Sequence, residues 1–213
     1  MDAHTPRRSP TLLACVSVVA SVALAACGAE PGEEAEAVPA ASLGAAPASL
    51  QRPRHPVDRL ELYLAGVHVM KENIREWWNA HHYCEAVRPD LIQCAVYDTT
   101  TPGVARLNAV EYIVPEEVYR SFPPEERRYW HPHTYEVDGG LLDVPEMPAD
   151  SARRFLQAAR TTWGKTWHLW QTQRGERYPT GDPRLAWAIE GPDSVPPGVR
   201  PRGNVLTGRR PGQ

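Results

Sequence analysis

Three short words in this chain carry side chains able to do chemistry: Ala80-His81-His82-Tyr83-Cys84, Trp130-His131-Pro132-His133 and Trp167-His168-Leu169-Trp170. Six of the eight histidines lie between His68 and His168. Imidazole ligates transition metals and exchanges protons near neutral pH, so clustered histidines point to one of those two chemistries. Side chains alternate along a strand, so His131 and His133 are expected on one side, where they can clamp one ion. By the same rule His82 shares a face with Cys84, and His81 faces away. The expected site combines His82 or Cys84 with His131, His133 and His168 around a divalent transition metal, provided the strands that carry them are neighbours. The competing expectation is that these imidazoles are buried hydrogen-bonding groups tying strands and Trp rings together.

His-x-His followed by a carboxylate resembles the metal motif of cupins. Glu136, however, lies only three residues after His133, and on an unbroken strand it would face away from the histidines. Cys84 and Cys94 are the two cysteines of the central region. In an exported chain two such cysteines are expected to pair as a disulfide, and a hairpin across Arg88-Pro89-Asp90 would bring them together. The other chemistry open to Cys84 is that of a nucleophile activated by a neighbouring histidine. No Gly-x-Ser-x-Gly, P-loop or dinucleotide fingerprint is present.

These residues have to be positioned by short elements. Leu60, Leu62, Leu64, Val67 and Val69 fit either a strand or a helix. Leu91 to Tyr97 and Ala105 to Val114 read as strands, the second with Leu107, Ala109, Glu111 and Ile113 on one face. Pro115-Glu116-Glu117 and Pro123-Pro124-Glu125-Glu126 read as helix starts. Strands are expected at His133 to Val137, Leu141 to Val144, Trp167 to Gln171 and Leu185 to Ile189. A helix is expected from Asp150 or Ser151 to about Trp163, stopped by Gly164. Short strands, interspersed helices and no βαβ alternation give an α+β fold, a mostly antiparallel sheet with a few short helices in a single domain.

With 213 residues, 42% hydrophobic and 23% charged, the chain can bury one ordinary core. A net charge of −3 and no basic cluster in the central region argue against a nucleic-acid partner. Seven Trp and eight Tyr against two Phe suit half-buried and interfacial positions. Residues 1–26 read as a signal peptide: Arg7 and Arg8, an uncharged run from Leu12, then Leu24-Ala25-Ala26-Cys27. That ending resembles the bacterial lipobox, which makes Cys27 the lipidation site. With Gly28 following, the expected location is the cell envelope, lipid-anchored, at the outer membrane facing the periplasm. Residues 27–51 then form a disordered tether, 52–190 the folded domain, and 191–213 a Pro- and Arg-rich disordered tail.

The His81-His82-Tyr83-Cys84 word, with Gln93-Cys94, Tyr97-Asp98, Ala105-Arg106-Leu107 and Val110-Glu111-Tyr112-Ile113, resembles the oil-body-associated protein family. So do Trp130-His131 with His133, Tyr135-Glu136-Val137, Gly164-Lys165-Thr166-Trp167-His168, Trp170-Gln171 and Arg174-Gly175. The resemblance runs from about Pro56 to Ile189. Pro132 stands where the family usually has Ser, and Pro179-Thr180-Gly181-Asp182-Pro183 departs from its Pro-Leu-Gly-x-Pro word. Plant members associate with seed oil bodies and are implicated in keeping them stable, and the family has no established enzymatic activity or catalytic residue. The resemblance therefore implies a non-enzymatic domain that meets a lipid or membrane surface, here through Trp-rich surface. The alternatives are a metal-binding domain or metal-dependent enzyme using His131, His133 and His168, or an envelope module that binds another protein.

Overall fold

A computed structural model describes residues 55–208. The expected signal peptide, the lipidation site Cys27 and the tether lie outside the described residues. In chain order the strands are β1 (Leu62–Met70), β2 (Asn73–Arg88), β3 (Leu91–Tyr97), β4 (Leu107–Pro115), β5 (His131–Pro132), β6 (Thr162–His168) and β7 (Arg184–Ala188). The helices are α1 (Glu116–Ser121), α2 (Pro124–Arg127), α3 (Thr134–Asp138) and α4 (Ala149–Ala159). Among the described residues no helix is long and apolar enough to cross a membrane.

The α+β expectation is corrected: the chain forms a closed antiparallel β-barrel. Neighbours run β4-β3-β2-β1-β7-β6, and β4 pairs back onto β6 from Ala109↔His168 to Pro115↔Thr162. The two-residue β5 is an extra strand beside β6. The physical reason is the edge. An open sheet would leave the outer N–H and C=O groups of β4 and β6 unpaired, and closure pairs them with each other. The short helices fill corners instead of forming a layer.

Interior positions follow the two-residue alternation. Trp78, Ala80, His82 and Cys84 of β2, Cys94 and Val96 of β3, Ala109, Glu111 and Ile113 of β4, and Gly164, Thr166 and His168 of β6 are all buried. Ala152, Leu156 and Ala159 of α4 pack into the same core. Each fully buried Leu or Ile there stabilises the fold by roughly 1.5–3 kcal/mol. The β2–β3 hairpin sets Cys84 opposite Cys94, and the two are joined by a disulfide.

The ambiguous first element is strand β1, and it is buried on both faces from Leu64 to Met70. Its outer residues Val67 and Val69 need a cover, and the segment after Gly191 supplies it. Val195 and Val199 pack with Val67, Val69, Leu141 and Ile189. Asn204 Nδ2 donates to the carbonyls of Val137 and Leu142, both at 2.9 Å. The disordered-tail expectation is thus corrected for residues 191–208. Proline limits the freedom a segment loses on ordering, so a Pro-rich chain can settle on an apolar face at low entropic cost.

Further expectations change: Leu141 to Val144 makes only an isolated bridge, Asp143 to Ala65, and the strand expected from Trp167 to Gln171 runs instead from Thr162 to His168. His133 to Val137 is not a strand: Pro132 has no N–H to extend the β5 ladder, and the chain turns into α3 with His133 at its N-cap position. The helix expected to reach Trp163 ends at Ala159, and Gly164 lies inside β6. Trp78 and Trp130 are buried and the other five Trp are half-buried. Trp163, for example, stacks on Tyr119 with ring centroids 3.6 Å apart.

Candidate metal centre

Glu111 projects from β4 into the barrel and is 2% exposed. Four imidazoles close on it, and each carboxylate oxygen faces a pair. Oε2 lies 2.8 Å from His82 Nε2 and 3.7 Å from His68 Nε2. Oε1 lies 3.4 Å from His131 Nε2 and 3.5 Å from His133 Nε2. Two donor triads result, His68–His82–Glu111 and Glu111–His131–His133, each with its ligand atoms within 4.8 Å of one another. Donors about 2.1 Å from a tetrahedral ion sit roughly 3.4 Å apart, and the separations of Glu111 Oε1 from His131 and His133 are close to that spacing.

Proton positions sharpen this. Thr162 Oγ1 donates its only proton to the Ala159 carbonyl at 2.7 Å, so it accepts from Nδ1–H of His133, also at 2.7 Å. In a neutral ring that leaves the His133 Nε2 lone pair facing two carboxylates. A hydrogen bond from the outer ring nitrogen is how proteins orient a metal-ligating histidine. His82 is placed alike, with Nδ1 3.4 Å from the Leu64 carbonyl and Nε2 turned to Glu111. Both ring nitrogens of His131, Nδ1 of His68 and Oε1 of Glu111 are buried without a hydrogen bond. Each such orphan costs on the order of 1–3 kcal/mol, and an ion among these donors would relieve His131 Nε2 and Glu111 Oε1 together.

Burial holds His131 at a pKa of about 4 and pushes that of His68 well below its usual value, so both offer a lone pair at neutral pH. Burial would raise the Glu111 carboxyl, but the imidazoles of His131, His133 and His82 outweigh it and hold it well below the carboxylate range. Burial likewise opposes charge on His133, yet Glu111 and Glu136 raise its pKa on balance. Glu136 itself is pushed up to about 7, chiefly by burial.

A missing side chain makes room for the triad. A Cβ built on Gly164 would stand 2.2 Å from Glu111 Oε1, 2.5 Å from His133 Nε2 and 2.7 Å from His131 Nε2. Three donors therefore converge on a space that glycine leaves open and any other residue would fill.

Of the residues expected from sequence, the structure gathers His82, His131 and His133 and leaves His168 out. His168 stacks on Trp78 at 4.0 Å, and its Nδ1 bonds Gln171 Oε1 at 3.1 Å. Its pKa is held at about 4 by burial, as for a core hydrogen-bonding group. His81 points outward to the Tyr63 hydroxyl at 2.8 Å. Cys84 is in its disulfide and offers no thiolate for nucleophilic chemistry. Two donors were missed. His68 continues the inward alternation of Leu64 and Gly66, and Glu111 is a lone acid between Ala109 and Ile113 on an apolar face, so both had a legible signal. Glu136 was set aside because its segment was read as a strand. On helix α3 residues three apart share a face, which brings Glu136 to 4.0 Å from His133.

A closed antiparallel β-barrel enclosing an imidazole–carboxylate centre is the class of protein that this fold and site define. The chain belongs to the family described as protein of unknown function (DUF1264), which matches residues 54–205. It is similar to oil body-associated protein 1B of Arabidopsis thaliana, 35% identical over 63% of this chain and 55% of the relative. Oil body-associated protein 1A of Zea mays is 38% identical over 63% and 56%. Oil body-associated protein 2B of Zea mays is 33% identical over 76% and 63%. The chain thus spans a little over half the length of the curated relatives it matches. No solved structure matches it.

Proposed function

We propose that this domain is a transition-metal-binding β-barrel whose first ion is held by His131, His133 and Glu111. The observation that carries the reading is the convergence of four buried imidazoles on one carboxylate, with donor atoms left unbonded at its centre. Nitrogen with carboxylate oxygen suits zinc, iron or manganese. A bound ion is a Lewis acid that can hold an oxygen donor. Around it Thr162 orients His133. Elemental analysis of the purified chain tests this, beside a His131→Ala/His133→Ala double variant that keeps its β-sheet circular dichroism. Near-stoichiometric metal in the wild type and none in the variant is expected. A wild-type chain that takes up no zinc, iron or manganese after refolding with each would end the metal reading.

A second reading, action at a lipid surface with Cys27 as the anchor, is favoured by the names of the relatives, which describe association with oil bodies. Flotation of a Cys27→Ser chain with neutral-lipid droplets separates intrinsic affinity from acylation. Recovery in the top fraction is expected if the domain itself meets lipid, and a chain that stays at the bottom removes that reading.

A further inference from the structure

An apolar cavity opens onto the centre from the side of α4. It holds about 100 Å³, and its walls include Leu64, Ile113, Leu142, Phe155 and Ala159. Ala158, exposed on α4, stands at the rim. The inner end is polar, where Glu136 lines the cavity beside His68, His82, Glu111 and His133. Glu136 is 3% exposed, belongs to neither donor triad, and lies 4.0 Å from His133 Nε2. Its carboxyl makes no hydrogen bond within the described residues. Buried polar groups in native proteins are almost always bonded, so a carboxyl left free at the end of an apolar cavity marks the place of a ligand atom.

We propose that this cavity binds a small molecule with an apolar body and a single uncharged hydroxyl head, the body along the Leu64, Ile113 and Phe155 walls and the hydroxyl on Glu136. The inference goes beyond the metal reading: the cavity borders the donors His68, His82, Glu111 and His133, but its apolar walls and Glu136 belong to neither donor triad. The choice of head follows from solvation. A charged head of either sign must shed its water to reach the buried inner end, at a cost of several kcal/mol. A hydroxyl donates and accepts, so it matches Glu136 whether or not the carboxyl carries a proton.

Calorimetric titration of the full chain with 1-hexanol, hexanoate and hexylamine tests the proposal, on chelator-treated and metal-loaded protein. Saturable binding of 1-hexanol at one site per chain is expected in both forms. Glu136→Leu should weaken it by about tenfold, the loss of one hydrogen bond to a buried acid. Ala158→Trp adds bulk at an exposed rim position, where folding is not at risk, and should abolish it. The proposal is overturned if hexanoate or hexylamine binds more tightly than 1-hexanol. It is equally overturned if Ala158→Trp binds 1-hexanol as the wild type does, or if the wild type does not bind it in either form. Binding to the chelator-treated chain stands whatever elemental analysis returns, so the two readings fail separately.

Discussion

A Gly164→Ala chain is expected to lose its bound metal and to melt at a lower temperature than the wild type. Gly164 sits in β6 between Ile113 of β4 and His131 of β5. Its backbone is not among the described positive-φ glycines, so alanine meets no conformational penalty there. At such a site Gly→Ala usually stabilises by about 0.4–1 kcal/mol through the unfolded chain. Here sterics reverse the sign. The new methyl would lie 2.2–2.7 Å from Glu111 Oε1, His133 Nε2 and His131 Nε2. None of these can yield easily: His131 is fully buried, His133 is tied to Thr162, and Glu111 is enclosed by imidazoles. Overpacking of this kind costs about 1–3 kcal/mol, and the displaced donors no longer share a centre. Gly66→Ala is the control. Its Cβ would meet Leu142 Cδ1 at 3.4 Å and His82 Cε1 at 3.6 Å, an ordinary packing contact. Metal content and melting temperature of the two variants decide the matter. Full metal occupancy in Gly164→Ala would show that the ion does not sit among these three donors.

Glu111→Gln should fold and yet gain nothing from metal. The amide keeps the shape of the carboxylate, so the barrel core stays filled, but the anion shared by both triads is gone. For the wild type, metal at a thousandfold excess over its dissociation constant stabilises the native state by about 4 kcal/mol. The comparison is the melting temperature of each chain before and after zinc is added to chelated protein. A rise confined to the wild type is the expected result. An equal rise in Glu111→Gln would place the metal elsewhere. If Glu111 were only a hub for imidazole hydrogen bonds, the variant would lose stability in the chelated state and zinc would leave the wild type unchanged. The two accounts therefore differ in a quantity that can be read directly.

Much of the scaffold was legible because it is local. Alternation with a period of two marked β3, β4 and β7, and Arg88-Pro89-Asp90 marked the turn between β2 and β3. Acids after Pro115 and Pro123 marked α1 and α2. Residue type and spacing marked His82, His131 and His133 as candidates, but not that their strands are neighbours, and the strand geometry assumed for His133 was not the one adopted. Where the period changes within a few residues, local reading failed. Pro132 ends β5 after two residues, and the switch to α3 turns Glu136 toward His133 when a strand would have turned it away.

By itself, then, the sequence determined β3, β4 and β7, the β2–β3 hairpin, the family words and a histidine-rich chemical character, since each is written in neighbouring residues. Only the tertiary structure decided that β4 meets β6, that Glu111 stands between two imidazole pairs, that His168 packs on Trp78 instead, and that Val195 and Val199 cover β1. The reason is sequence distance. Ala109 and His168, or Val67 and Val199, are far apart in the chain, and whether they meet depends on how the barrel edges close and which apolar faces remain to be covered, which no local periodicity encodes.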